Sequence, residues 1–411
     1  VSDDAALCAT VDRMHAAQCE FLAGLVRIPT DNPPGDCAPA AAWAAEALER
    51  LGFTVERHPV PEALVAANGM VSATNLVVRH RFGPGPVIAL NAHGDVVPPG
   101  AGWSVDPYAA TVRDGVMYGR GVAVSKSDFA TYAFALKALV ESGLALNGTV
   151  ELHFTFDEEA GGMIGPAWLI QRGIVKPDFA ICAGFSYNVV VAHNGCLHLE
   201  VSVAGRSAHA AEPQSGADAL EAATALLAAL YAYRDGLASL RSAVPGIVHP
   251  TLVVGLIKGG INTNVVPDLV TLRLDRRIIP EEDPVAVERA LIAVIEAAGR
   301  ARPGITVTVR RILLAMPFTQ LPGQDRLVGL LQRHGRSVLG EDIPANGVPL
   351  YTDARHYAAA GIPTVLYGAG PHSLLEANGH RADERLVLED LRKATQVIAL
   401  ALADFLAGGS P

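Results

Sequence analysis

A nearly unbroken apolar run, Val87–Ala92, and a β-rich run, Thr149–Phe156, flank an Ala-rich stretch at Asp128–Ser142 with helical periodicity. A strand that is apolar on both sides has no face to offer water, so it belongs inside a sheet covered by helices. Such strands alternating with helices predict an α/β unit with a mainly parallel sheet. Asn75–Arg79 adds a short strand, and residues 9–27 and 37–52 carry helical spacing, the second ended by Gly52 as a C-cap.

The texture changes near Gly195. Leu197–Val203 alternates as a strand, Ala217–Tyr233 reads as a helix, Thr251–Ile257 and Leu269–Ile278 as strands, Val285–Gly299 as a helix and Ile305–Ile312 as a strand. This β-α-β-β-α-β order is the ferredoxin-like pattern. Beyond it, Asp325–Leu339 is helical, Thr364–Leu366 is a buried strand and Asp383–Ala407 closes as a long helix. The expected layout is one domain from residues 1–194 and 312–411, with 195–311 inserted.

At 411 residues, half of them hydrophobic and 18% charged, the chain has the profile of a soluble globular enzyme. A net charge of -10 without basic stripes argues against nucleic acid or anionic lipid as partner. No apolar run approaches the roughly 20 residues of a membrane span. The opening VSDDAALCATVDRM lacks the basic and apolar regions of a secretory signal. Cys8, Cys19, Cys37, Cys182 and Cys196 contain no CxxC pair, which suits reduced thiols in the cytoplasm.

Three segments carry chemistry. His93 ends a predicted strand, where ligands gather in parallel sheets, and Asp95 two residues on is placed to orient its imidazole. Asp157-Glu158-Glu159 follows the next such strand, and three adjacent carboxylates repel one another unless a cation or proton is shared. One of them can bind an ion while its neighbour takes a proton from water. His380 lies in Gly379-His380-Arg381-Ala382-Asp383-Glu384, where the final helix is expected to begin; a helix N-cap is the plain alternative there.

These motifs occur in a recognisable order: RIPTDNPPG at Arg27–Gly35, HGDVVP at His93–Pro98, MYGRG ending at Gly121, DEEAGG at Asp157–Gly162, GRSAHAAEP at Gly205–Pro213, NTNVVPD at Asn262–Asp268, and GHRADE. The series resembles the acetylornithine deacetylase, succinyl-diaminopimelate desuccinylase and aminoacylase family of metallopeptidases over nearly the whole chain. The resemblance implies a zinc-peptidase-like α/β domain, its mixed sheet flanked by helices, with an inserted ferredoxin-like lid through which a homodimer or higher homo-oligomer forms. It also implies roles: His93, Glu159 and His380 as metal ligands, Asp95 as orienter, Glu158 as general base, His209 supporting the oxyanion, and Asn264 and Arg277 holding a small-molecule carboxylate substrate. Arg355 falls in a family-like segment, where a structural role is equally open.

Two positions depart from the pattern. Val124 stands where the family has an aspartate bridging two ions, and Ala183-Gly184 stand where it has an acidic ligand. Three arrangements remain open. One divalent transition metal, Mn or Zn with Co as an option, is held by His93, Glu159 and His380; or Asp128, one helical turn beyond Val124, restores part of the lost charge; or the protein is a non-catalytic ligand-binding relative. For an enzyme the expected reaction is metal-dependent hydrolysis of a C–N bond. The ligand-poor site resembles a divergent branch that deaminates an activated aromatic amine, of the 5-nitroanthranilate to 5-nitrosalicylate type, with Phe185 and Tyr187 lining a flat pocket. N-acyl amino acid deacylation or dipeptide cleavage is the alternative.

Overall fold

The computed structural model describes residues 3–300 and 302–408. The chain divides into two compact units, one of residues 1–191, 320–346 and 352–411 and one of residues 192–319 and 347–351. The second unit thus runs past residue 311, because the strand Thr306–Ala315 stays paired to Gly195–Ala204 as far as Ala315. It also takes back 347–351, where the Gly347 N–H donates to Pro245.

The first unit is built on an eight-stranded sheet. Its order is Val55–Pro59, Thr74–Arg81, Thr149–Thr155, Val87–His93, Phe179–Cys182, Thr364–Leu366, Val189–His193 and Ala345–Val348. Val87–His93 runs parallel to Thr149–Thr155 and to Phe179–Cys182, whereas the pairs at the Val55–Pro59 edge are antiparallel, so the sheet is mixed. The parallel centre brings the ends of Val87–His93 and Thr149–Thr155 out side by side.

The helix Lys126–Ser142 is buried along most of its length because its alanines let it lie close to the sheet, and Gly143 ends it at φ 67. Phe129 stacks on Phe154 of the central strand with ring centroids 4.0 Å apart. Burying a ring of this size contributes about 1.5–3 kcal/mol. Asp3–Val26 and Leu388–Ala407 pack beside this helix.

The final helix starts at Leu388, five residues later than its acidic lead-in suggests. Arg385–Val387 pairs instead with Val116–Tyr118 as a short strand, leaving His380–Glu384 in a loop. Among the described residues, no helix is long and apolar enough to cross a membrane.

The second unit has the predicted β-α-β-β-α-β order. Its antiparallel sheet runs Thr251–Gly259, Leu269–Ile278, Gly195–Ala204, Thr306–Ala315, and carries the helices Ala219–Leu237 and Pro284–Arg300. Leu197, Leu199, Val201 and Val203 pack in one core with both helices. The alternate residues of that strand, Cys196, His198 and Glu200, therefore stand on the opposite face.

Candidate metal centre and active site

His93 reaches the carboxyl end of its strand with 6% of its surface exposed. Its Nδ1 faces the main-chain oxygen of Asp95 at 3.1 Å and Oδ1 of the Asp95 carboxylate at 3.3 Å. A proton on Nδ1 serves that contact and leaves Nε2 bare toward Glu158 Oε2, 3.9 Å away. The intervening residue has to be glycine: a Cβ on Gly94 would come to 2.6 Å from the Phe156 ring.

Asp95 does more than face the imidazole. Its Oδ1 accepts the Glu158 N–H at 3.1 Å, and its Oδ2 accepts the Glu159 N–H and the Asn32 side-chain amide, both at 3.0 Å. One buried carboxylate therefore fixes the backbone of two glutamates more than 60 residues away in sequence.

The pocket around these groups is crowded with acids. Burial pushes Glu158 up to about 7, with Glu159 and Asp95 adding to the rise and His93 opposing it. Burial, then Asp95, likewise pushes Asp157 up to about 7, and Asp353 is held well above its ordinary range by burial with Glu158 and Asp157. For His93, burial works against the charged ring, yet Glu158, Asp95 and Glu159 outweigh it and raise its affinity for a proton.

Such a site calls for a cation, and its donors fit one. Single ligand atoms of His93, Glu158 and Glu159 lie within 4.8 Å of one another. Oε1 of Glu159 is shut off from solvent without an aligned hydrogen-bond donor. His380 stands beside this trio, its Nε2 3.3 Å from Glu159 Oε1, and the adjacent Glu159 carboxylate raises its affinity for a proton.

The loop bearing His380 has three non-glycine residues in left-handed conformation, Asn378, His380 and Asp383. Each such residue costs of order 1 kcal/mol, so the loop needs anchors. Asp383 supplies one by accepting the Ser104 N–H at 2.8 Å. Glu384 supplies another: fully buried, it pairs with Arg120 at 2.5 Å and accepts the N–H groups of Ala123 and Val124. Arg355 is buried and donates to the carbonyls of Gly161 and Thr352, bracing the loop that follows Glu159.

Asp128 does not restore the charge missing at Val124. Its Oδ1 accepts the Ala369 N–H at 2.7 Å and its Oδ2 the Gly184 N–H at 3.2 Å, so both oxygens clamp loops, and the residue stays outside the donor trio. Tyr187 is not a free pocket wall either: its hydroxyl donates to Asp390 at 2.6 Å and its ring stacks on His372. Asn32, Arg120 and Glu384 lie inside quoted motifs, and Asp353 lies two residues before Arg355, yet the sequence alone does not mark them as parts of the site.

The other predicted residues belong to the second unit. His209 and Asn264 are exposed neighbours on two strapped loops: the Ala210 N–H donates to Asn264 O, and His209 Nδ1 accepts the Ala211 N–H at 3.1 Å. Arg277 is half-buried, gripped on its Nε–Nη2 edge by Asp275 at 2.9 and 3.0 Å, with its guanidinium over the Tyr351 ring.

An imidazole and two glutamates converging on strand ends of a mixed α/β sheet make the donor set of a metal-dependent hydrolase. Residues 89–404 match the model of peptidase family M20/M25/M40, and the chain belongs to that family, acting as a hydrolase on C–N bonds. It is 28% identical to the acetylornithine deacetylase of Proteus mirabilis over 362 residues, 87% of each chain. It is 29% identical to the succinyl-diaminopimelate desuccinylase of Gluconacetobacter diazotrophicus over 392 residues, 92% of this chain and 94% of that one. The fold is that of the dipeptidase Dug1p from Saccharomyces cerevisiae (TM-score 0.83, 14% identity, all of both chains). It is also that of human carnosine dipeptidase 1 (TM-score 0.77, 17% identity, 98% and 99% of the two chains).

Proposed function

We propose that the chain hydrolyses an amide C–N bond in a small, carboxylate-bearing substrate of the N-acyl amino acid or dipeptide class, at a centre holding one Mn2+ or Zn2+ ion. The observation that carries this reading is the convergence of His93, Glu158 and Glu159, with the Glu159 Oε1 atom buried without an aligned hydrogen-bond donor and facing His380, while Val124 and Gly184 offer no donor for a second ion. His93, Glu159 and His380 would hold the ion; when bound it supplies a Lewis acid that acidifies water and polarises the carbonyl.

The remaining work falls to the chain itself. Glu158, buried and raised to about 7, is suited to take a proton from the attacking water and return it to the leaving amine. Asp95 keeps the imidazole and both glutamates in register. Arg277 retains the Nη1 side of its fork for a substrate carboxylate, and His209 and Asn264 support the charge developing on the carbonyl oxygen. The second unit acts as a ferredoxin-like lid, and a second copy pairs with it along Thr251–Gly259, where Val253, Leu256 and Ile257 are exposed.

The relatives' names, acetylornithine deacetylase and succinyl-diaminopimelate desuccinylase, favour N-acyl amino acids. Hydrolytic deamination of a nitro-substituted aminobenzoate is the second reading, favoured by the loss of acidic ligands at Val124 and Gly184. A panel of N-acyl amino acids, dipeptides and nitro-substituted aminobenzoates, assayed with Mn2+ and Zn2+ alongside metal counting, decides. Turnover of an amide with one ion per chain is expected. Turnover of the aminobenzoates alone transfers the assignment to deamination, and failure to bind any stoichiometric ion overturns both.

A further inference from the structure

The helix-free face of the second unit's sheet carries a donor cluster that the proposed hydrolysis does not use. Cys196 and His198 are two residues apart on Gly195–Ala204 and share that face, while the intervening Leu197 enters the core. The register sets His198 opposite Asp275 and Cys196 opposite Arg277. Single ligand atoms of Cys196, His198 and Asp275 all lie within 4.8 Å of one another.

We infer that Cys196, His198 and Asp275 form a second metal site, for a thiophilic divalent cation such as Zn2+, Co2+ or Cd2+. A thiolate, an imidazole and a carboxylate are a donor set that such ions accept and that Mg2+ or Ca2+ does not prefer. The spacing suits a tetrahedral ion. His198 Nε2 and Asp275 Oδ2 are 3.0 Å apart, and two ligands bonded at ~2.0–2.1 Å in tetrahedral geometry are separated by about 3.3 Å. The cation therefore replaces the His198–Asp275 hydrogen bond with little movement of either side chain.

Access and charge are also provided. Cys196 is buried, but His198 and Asp275 each keep about 30% of their side-chain surface exposed, which leaves a path for the ion and room for water as a fourth ligand. On binding, the Cys196 thiol releases its proton to solvent, the proton that His198 Nε2 shares with Asp275 leaves that nitrogen so that its lone pair can meet the ion with Nδ1 keeping the ring's one N–H, and Asp275 Oδ2 turns to the ion. The Asp275 Oδ2 atom exchanges its bond from Arg277 Nη2 for the ion while Oδ1 stays on Nε, so the guanidinium keeps one of its two contacts beside the site.

Cobalt titration of the chelator-stripped full-length protein tests this, because a cobalt–thiolate bond gives a near-ultraviolet charge-transfer band that the sulfur-free His93 centre cannot produce. The band should saturate within two equivalents in the wild type, where the His93 centre also takes cobalt, and at one equivalent in His93→Ala; it should vanish in Cys196→Ser, and need at least tenfold more cobalt in His198→Ala and Asp275→Asn. Absence of the band in the wild-type protein overturns the site, as does a band that survives Cys196→Ser on one of the other four thiols. Should Cys196→Ser fail to fold by circular dichroism, the two partly exposed positions decide: an unchanged titration in both overturns the site. The readout does not depend on hydrolytic activity, so it stands or falls apart from the proposed function.

Discussion

A Cβ placed on Gly184 would lie 2.8 Å from the main-chain nitrogen of Tyr367. The position where the family has an acidic ligand is thus closed by backbone as well as lacking a carboxylate. Tyr367 N donates to Cys182 O and Gly370 N to Gly184 O, while Ser186 binds the carbonyls of Gly368 and Gly370, so the two segments are zipped together. Asp128 pins the same pair of segments from the helix side.

Restoring the acid at this position should therefore damage the protein before it builds a site. Gly184→Asp forces the Leu366–Tyr367 backbone to move, an overpacking cost of about 1–3 kcal/mol. The urea midpoint should fall accordingly, and metal counting should still find no second ion. A Gly184→Asp protein with unchanged stability and two bound ions would show that the zipper yields easily.

Glu158 makes the metal-free protein sensitive to pH. Its folded-state value of about 7 lies above its ordinary 4.5, so the fold holds this proton more tightly than the unfolded chain does. That contribution is fully present below pH 4.5 and is lost as pH rises through 7, a swing of about 1–3 kcal/mol. Glu158→Gln has no proton to lose. It should stabilise the chelator-treated protein at pH 8 while changing little at pH 4, measured by urea unfolding, and the gain should vanish once a divalent ion is added. An equal effect at both pH values would assign the change to packing.

The reach of the sequence ends where contacts become non-local. His93 and Asp157–Glu159 were legible because each follows a run whose apolar pattern marks a buried strand, and parallel strands deliver their carboxyl ends to one edge. Asn32 was invisible as a partner because it meets Asp95 from a loop 63 positions earlier. Asp383 and Glu384 resembled the acidic first turn of a helix; Arg120 and the Ala123–Val124 amides claim Glu384, and the chain makes a strand before the helix begins. Phe179–Cys182 is too short to show periodicity, yet it pairs on both sides, and the sheet order depends on it.

Asn32 offers a test of how far the support of the metal centre extends. Its side-chain amide donates to the carboxylate that orients His93 and the two glutamates. Loss of such outer support typically costs 10–100-fold in metal affinity. Asn32→Ala should lower the affinity within that range in a chelator competition, and Asp95→Ala should lower it further. Equal affinities for wild type and Asn32→Ala would mean that the backbone amides alone hold Asp95 in place.

The Arg120–Glu384 pair sets the strained His380 loop, and its burial predicts an asymmetric response to mutation. Both side chains are about 1% exposed or less, so removing one leaves the other charge without its partner, at a cost of about 3–5 kcal/mol. Arg120→Met should therefore be strongly destabilising, and it should weaken ion binding because the Glu384 Oε2 atom loses the guanidinium that seats the loop carrying His380, leaving only the Ala123 and Val124 amides on Oε1. Pairing it with Glu384→Gln removes the uncompensated charge while keeping an oxygen for the two N–H groups. The double variant should recover part of the stability but not the affinity, since the left-handed residues at 378, 380 and 383 still lack the Arg120 contact that seats residue 384. A double-mutant cycle followed by urea unfolding and by metal titration separates the two quantities. Additive losses in stability would place Arg120 and Glu384 as independent contributors and remove the latch from the account of His380.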